Sequence, residues 1–193
     1  MIQAVAVERR FGERRGVGPI SFELRDGGFL VVTGPNGSGK STLLALAAGL
    51  LVPTRGRLDV KATRREVGYV AHDPLVYREL SALENLDLYG RLYRVPERRE
   101  RVGMVLERFG LWERRHERVS AYSRGMAQRL ALARALLHEP SLVLLDEPYA
   151  SLDEAAADVL DAELAGLRGE RTVVVASHQP ERLAPLATAE LAL

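Results

Sequence analysis

Gly34-Pro35-Asn36-Gly37-Ser38-Gly39-Lys40-Ser41-Thr42 is the stretch on which the fold turns. It fits the pattern GxxxxGK(S/T), and the residues around it suit that pattern. Phe29 to Thr33 is apolar and β-branched, as a buried strand is, and Ser41 to Leu50 is an apolar run of helical length that stops before Pro53. Strand, glycine-rich loop and helix in that order let successive backbone N–H groups turn inward around phosphate oxygens, while the helix dipole adds positive potential. On this basis Gly34, Asn36, Gly37, Ser38, Gly39 and Thr42 belong to a phosphate cradle, Lys40 reaches the β- and γ-phosphates of ATP, and Ser41 holds Mg²⁺.

A second constellation is Leu142-Val143-Leu144-Leu145-Asp146-Glu147, an apolar run ending in two acids. A buried strand needs no acids for its own stability, and the carboxyl ends of parallel strands are where α/β sheets bind ligands. Asp146 is expected to orient Mg²⁺ through water, and Glu147 to polarise the attacking water as general base. Taken alone, the pair could equally be solvated acids at a turn.

Short strands are expected at Ile2 to Glu8, Ile20 to Leu24, Gly56 to Val60 and Val67 to Val70, with a turn at Asp26-Gly27-Gly28. From about Leu75 to Leu137 the strand signal gives way to helical periodicity in Ala82 to Tyr93, Glu97 to Phe109 and Arg124 to Leu137, which reads as an inserted helical subdomain. The core then resumes with the acidic strand, a helix from Glu154 to Leu167 and a β-branched strand from Thr172 to Ala176. The fold class is therefore α/β, in one domain of 193 residues with 47% apolar side chains. A formal charge of +1 supplies no bulk basic field to gather nucleic acid. With no cysteine, disulfides and thiolate chemistry are excluded. No apolar run approaches the roughly 20 residues that cross a bilayer, and Met1 to Val5 leads straight into patterned sequence without a leader.

Further motifs fall between and around these two. Tyr122-Ser123-Arg124-Gly125-Met126-Ala127-Gln128-Arg129 opens a helix, Ser151-Leu152-Asp153 precedes another, Ser177-His178 follows the last strand, and Phe11 lies near the start. Together with the phosphate loop and the paired acids, these resemble the ABC ATPase family over nearly the whole chain. The resemblance implies a P-loop NTPase core with an N-terminal antiparallel β subdomain over residues 1–73 and 136–193, and a helical subdomain over 74–135. It implies that Ser123 and Gly125 cover the γ-phosphate bound to an opposite protomer of a homodimer, and that Asp153 belongs to a loop communicating across it. His178 would be a switch histidine at the γ-phosphate, and Phe11 would stack on adenine. His72 stands where the family usually has a Gln that touches Mg²⁺. Tyr122 and Arg124 depart from the usual Leu and Gly.

His72, Ser81-Ala82-Leu83-Glu84-Asn85-Leu86 and Ser177-His178-Gln179-Pro180 resemble the haem-exporting branch that serves cytochrome c maturation. That branch implies a cytoplasmic ATPase, peripheral on the inner face of the cell membrane. Integral membrane subunits would dock around Leu75 to Leu83. The Tyr-Ser-Arg-Gly-Met signature also resembles ATPases of drug, lipid or polysaccharide exporters, which are the alternative. Soluble ABC ATPases of chromosomes need long coiled coils for which there is no room between Ser41 and Ser123. A small P-loop kinase would leave the signature, the Ser-Leu-Asp turn and His178 unexplained.

Overall fold

The computed structural model describes residues 1–193. The chain runs β1 (Ile2–Phe11), β2 (Arg14–Leu24), β3 (Phe29–Thr33), α1 (Lys40–Ala47), β4 (Arg55–Val60), β5 (Val67–Val70), α2 (Ala82–Leu92), α3 (Arg98–Arg108), α4 (Arg124–Leu136), β6 (Leu142–Asp146), α5 (Glu154–Leu167), β7 (Thr172–Ala176), α6 (Pro180–Leu183) and β8 (Ala189–Ala192). β2, β1 and β4 make an antiparallel sheet in that order. β5, β6, β7, β3 and β8 make a second sheet, parallel throughout.

Alternation along the parallel strands sends their side chains to two separate cores. Val31, Val143, Leu145, Val173 and Val175 face one side, where Leu86, Leu106, Leu130 and Leu160 of the helices meet them. Leu30, Val32, Leu142, Leu144 and Val174 face the other, against Leu43 and Leu44 of α1 and Ile2 and Val7 of the antiparallel sheet. With both faces covered, β3, β6 and β7 read as unbroken apolar runs. Each fully buried Leu or Val contributes roughly 1.5–3 kcal/mol.

Two helix ends show how local sequence sets the frame. α1 stops at Gly49, not at Pro53: Gly49 takes φ +69, its N–H donates to Leu46 O at 3.0 Å, and Leu50 N–H donates to Ala45 O at 2.9 Å. This pair of bonds is a Schellman closure, which a glycine completes without Cβ strain. α2 starts with a capping box, Ser81 Oγ accepting from Glu84 N–H at 3.2 Å and Glu84 Oε2 from Ser81 N–H at 2.7 Å. Next to it, the wholly buried Asn85 amide donates to Tyr77 O and Ser81 O, both at 2.9 Å, and accepts from Tyr77 N–H, so it pins the loop that leads into the helix.

The helices of the inserted segment are α2, α3 and the first half of α4. The rest of α4 lies on β5, where a Cβ at Gly68 would come within 2.4 Å of Ala135 O. α6, β8 and the first half of β2 are not expected from the sequence. Ala189-Glu190-Leu191-Ala192 lacks β-branched residues and becomes a strand through its parallel pairing with β3. No helix is long and apolar enough to cross a membrane.

Candidate nucleotide site

β3, β5, β6 and β7 all end at one edge of the parallel sheet, and each hands over to a loop carrying a candidate residue. A cavity of 720 Å³ opens along that edge. Its lining brings together Phe11, Asn36, Gly37, Gly39, Lys40, Ser41, Thr42, His72, Asp146, Glu147 and His178, residues from five separate segments.

The loop after β3 depends on glycine. Gly34, Gly37 and Gly39 take φ +144, +82 and +109. A Cβ at Gly39 would lie 2.4 Å from Gly16 O, so this backbone must run bare against β2. Gly34 and Ser38 do not line the cavity, and the Ser38 hydroxyl is buried without a partner. α1 has no side-chain cap and no acid in its first turn. Its first internal bond runs from Leu43 N–H to Gly39 O at 2.8 Å, which leaves the N–H groups of Lys40, Ser41 and Thr42 free to meet an anion. Lys40 is buried, its Nζ donating to Gly34 O at 2.7 Å and Pro35 O at 3.3 Å.

Across the cavity, Asp146 ends β6 at 2% exposure, and its Oδ2 has no hydrogen-bond partner. Burial, and behind it the Asp146 carboxylate, hold the Tyr69 phenol above its ordinary pKa. A buried carboxylate oxygen left unpaired costs at least about 1–3 kcal/mol, which is sensible where a cation completes the site. Glu147 follows at φ +51, a conformation that costs a non-glycine residue about 1–3 kcal/mol, and its N–H donates to Ala176 O at 2.9 Å. Its Oε2 accepts from His178 N–H at 3.2 Å. His178 Nε2 lies 3.2 Å from Oε1 without hydrogen-bond alignment, so Oε1 keeps its lone pairs.

The far wall is Phe11, half-exposed, with the Arg9 guanidinium 4.9 Å from its ring centroid. Gly16 leaves room for that ring: a Cβ there would sit 2.6 Å from Phe11 Cε2. Arg14 and Arg15 also line the cavity, and neither is ion-paired. Neither is expected from the sequence, because 25 of the chain's 27 basic residues are Arg and two more carry no signal.

Besides Gly34 and Ser38, three expected residues lie outside this cavity. Ser123 is exposed and caps α4, its Oγ accepting from Met126 N–H at 3.2 Å. Gly125 packs against the Ser151 loop, where a Cβ would lie 2.6 Å from Ser151 O. Asp153 caps α5, accepting from Ala156 N–H at 2.9 Å, so its carboxylate serves a helix of its own chain and does not face this cavity.

The sequence pattern of the family described as ABC transporter matches residues 17–150. The chain belongs to the ABC transporter family. Among ABC transporter relatives, YxlF of Bacillus subtilis (strain 168), an uncharacterized ATP-binding protein, is 37% identical over 185 residues, or 92% of this chain and 62% of YxlF. The linearmycin resistance ATP-binding protein LnrL of the same organism is 32% identical over 95% of this chain and 63% of its own length. The chain thus spans about three fifths of these two relatives. MJ0796, described as a bacterial ABC transporter cassette in a dimeric structure, superposes with a TM-score of 0.88 at 29% identity, covering 100% of this chain and 94% of that one. The same cassette in a dimeric post-hydrolysis state bound to ADP and Pi gives a TM-score of 0.85. The ABC cassette fold, an antiparallel sheet and a parallel sheet with helices, is the fold of this chain.

Proposed function

We propose that this ABC transporter chain hydrolyses ATP as one half of a dimer that encloses two nucleotides. The carrying observation is the opposition across one cavity of the uncapped start of α1 and the unpaired carboxylate oxygens of Asp146 and Glu147. The first binds phosphate, and the second serves a cation and a water. Lys40 Nζ exchanges the Gly34 and Pro35 carbonyls for phosphate oxygens. Phe11 stacks on the base, with Arg9 fixed behind it.

Ser41 and Asp146, as hard oxygen donors, would hold Mg²⁺, and His72 would accept from a metal-bound water or coordinate weakly. Mg²⁺ supplies neutralisation of the charge on the β- and γ-phosphates when bound. Glu147 Oε1 takes the proton of the attacking water. His178 meets the γ-phosphate while its backbone N–H holds Glu147. Ser123 and the start of α4 cover the nucleotide of the opposite protomer, which agrees with their place outside this chain's own cavity and with the dimeric MJ0796 structures.

The cassette works at the inner face of the cell membrane with separate membrane subunits, docked near Leu75 to Leu83. Two cargo readings follow. Haem for cytochrome c maturation rests on His72 and the Ser177 to Pro180 stretch. Its third support, Ser81 to Leu86, is accounted for by a helix cap and a buried amide. Export of a drug, the alternative to haem along with lipid or polysaccharide, is favoured by the likeness to the linearmycin resistance protein LnrL. Purification of tagged protein from native membranes, with ATPase activity measured for wild type and Glu147→Gln, tests the whole reading. Glu147-dependent hydrolysis with a cytochrome c maturation permease supports haem, and with a drug-type permease supports the second cargo. Undiminished hydrolysis by Glu147→Gln removes the assignment of the base.

A further inference from the structure

Tyr149, Asp161 and Arg182 lie outside the cavity and belong to none of the motifs above, yet they join its two catalytic loops from behind. Tyr149 is two residues after Glu147 and is 8% exposed. Its hydroxyl donates to Asp161 Oδ1 on α5 at 2.5 Å. Burial, and then that bond to Asp161, raise the phenol far above its ordinary pKa, so it stays a donor at any working pH. The other Asp161 oxygen accepts from Arg182 Nη1 at 3.1 Å. Arg182 Nη2 pairs with Glu154 at the start of α5, and the guanidinium carbon lies 5.7 Å from the Tyr149 ring centroid.

Arg182 sits on α6, four residues after His178, and the next residue, Leu183, is wholly buried and anchors that short helix in the core. The contacts therefore close a ring. From Glu147 it passes through Tyr149, Asp161 and Arg182 to His178, and it returns to Glu147 through the 3.2 Å bond from His178 N–H. The ring is short and mostly shielded, with the Arg182 side chain 23% exposed and Asp161 34% exposed. One guanidinium answers three carboxylates, Glu154, Asp161 and the more distant Asp158 at 4.0 Å.

We propose that Tyr149, Asp161 and Arg182 are positioning residues for hydrolysis, a strut that sets the distance between the Glu147 carboxylate and the His178 loop. The strut rests on the reading of Glu147 as the base given above. Glu147 holds a positive φ, and a strained residue keeps its conformation only where its surroundings over-determine it. The buried Gln128 amide braces the same loop from α4, donating to Pro148 O at 3.2 Å. The strut braces it from α5 and α6 and adds what Gln128 cannot, a mechanical link to His178. Displacement of a catalytic group by a fraction of an ångström lowers turnover steeply while leaving nucleotide affinity alone.

The test uses the purified full chain at saturating Mg-ATP, with a fluorescent ATP analogue to measure affinity and a melt to measure stability. Arg182→Gln, Asp161→Asn and the milder Tyr149→Phe should each lower kcat by about tenfold while the analogue's Kd stays within about twofold. Arg182→Lys should restore part of the loss. A double-mutant cycle separates positioning from bulk stability: in a His178→Ala background, which keeps the backbone N–H to Glu147 but lacks the imidazole the strut positions, Arg182→Gln should lower kcat by clearly less than about tenfold. Tyr149→Phe and Arg182→Gln with wild-type kcat, or full additivity with His178→Ala, overturns the strut. Glu147→Gln run in parallel keeps the two ideas apart. If that variant hydrolyses ATP normally, the reading of the base fails and the strut falls with it. If it is inactive while the strut variants are normal, only the strut fails.

Discussion

At the scale of single residues, the nucleotide cavity owes its shape to positions where a side chain is forbidden as much as to those that carry one. Gly39 combines φ +109 with the Gly16 carbonyl 2.4 Å from where a Cβ would stand. Gly39→Ala should therefore destabilise the fold by about 1–3 kcal/mol from backbone strain alone, and abolish ATP binding because relief would move the loop. Thermal melting with and without Mg-ATP checks both, since a loop that still binds would show a ligand-dependent rise in Tm. Phe11 makes a contrasting case, in which the side chain matters and the backbone does not. Phe11→Ala removes a ring already backed by Arg9, so ATP affinity should fall by about five- to tenfold, the worth of one aromatic contact. Phe11→Tyr should bind as wild type does in the same titration. The motif residues of this cavity are legible in sequence because phosphate chemistry demands glycine and lysine at fixed spacing. Arg14 and Arg15 are not, since only the folding of β2 beside the loop gives them a place there.

Among the elements, most strands and helices could be read from pattern, because buried parallel strands are unbroken apolar runs and the inserted helices are amphipathic. The failures are equally physical. β8 is a strand only by pairing, and α1 ends by a glycine closure that acts before the proline does. The α2 cap reads in sequence as a family motif, whereas the structure gives it mechanical work. Ser81→Ala should cost about 1 kcal/mol, and native-state hydrogen exchange should show the loss confined to α2 and the loop before it. His138, just past α4, carries a pH effect that no pattern suggests. Its ring stacks on Tyr93 with centroids 3.8 Å apart, and neither ring nitrogen has a hydrogen-bond partner. Burial pushes its pKa down to about 4, against about 6.5 when unfolded. Between those values the unfolded chain binds more protons than the folded one, so this residue makes stability fall as pH drops from about 6.5 towards 4 and has no effect above that window. His138→Phe preserves the stack and should flatten the wild-type loss of Tm over that window, leaving the difference between the two proteins constant at higher pH.

For the whole molecule, the decisive feature is what the cavity lacks within its own chain. Ser123 and Gly125 start a helix outside it, so within one chain they do not reach the phosphate loop. If the lid is a second copy, each complete site draws its phosphate loop from one protomer and its α4 start from the other. Lys40→Ala then disables both sites of a homodimer through the loop, and Ser123→Arg disables both through the lid. In a mixed dimer the defects fall together on one site, which leaves the other with Lys40 from one chain and Ser123 from its partner. Two inactive proteins, combined in equal amounts and allowed to exchange, should regain about a quarter of wild-type ATPase activity, because half the dimers are mixed and each carries one intact site. A site completed within one chain predicts no recovery at all, since neither variant contains an undamaged copy. Recovery well below a quarter, with mixed dimers present, would mean that the two sites must fire together. Assaying the mixture across a range of proportions separates these cases without knowledge of the cargo or of any membrane partner.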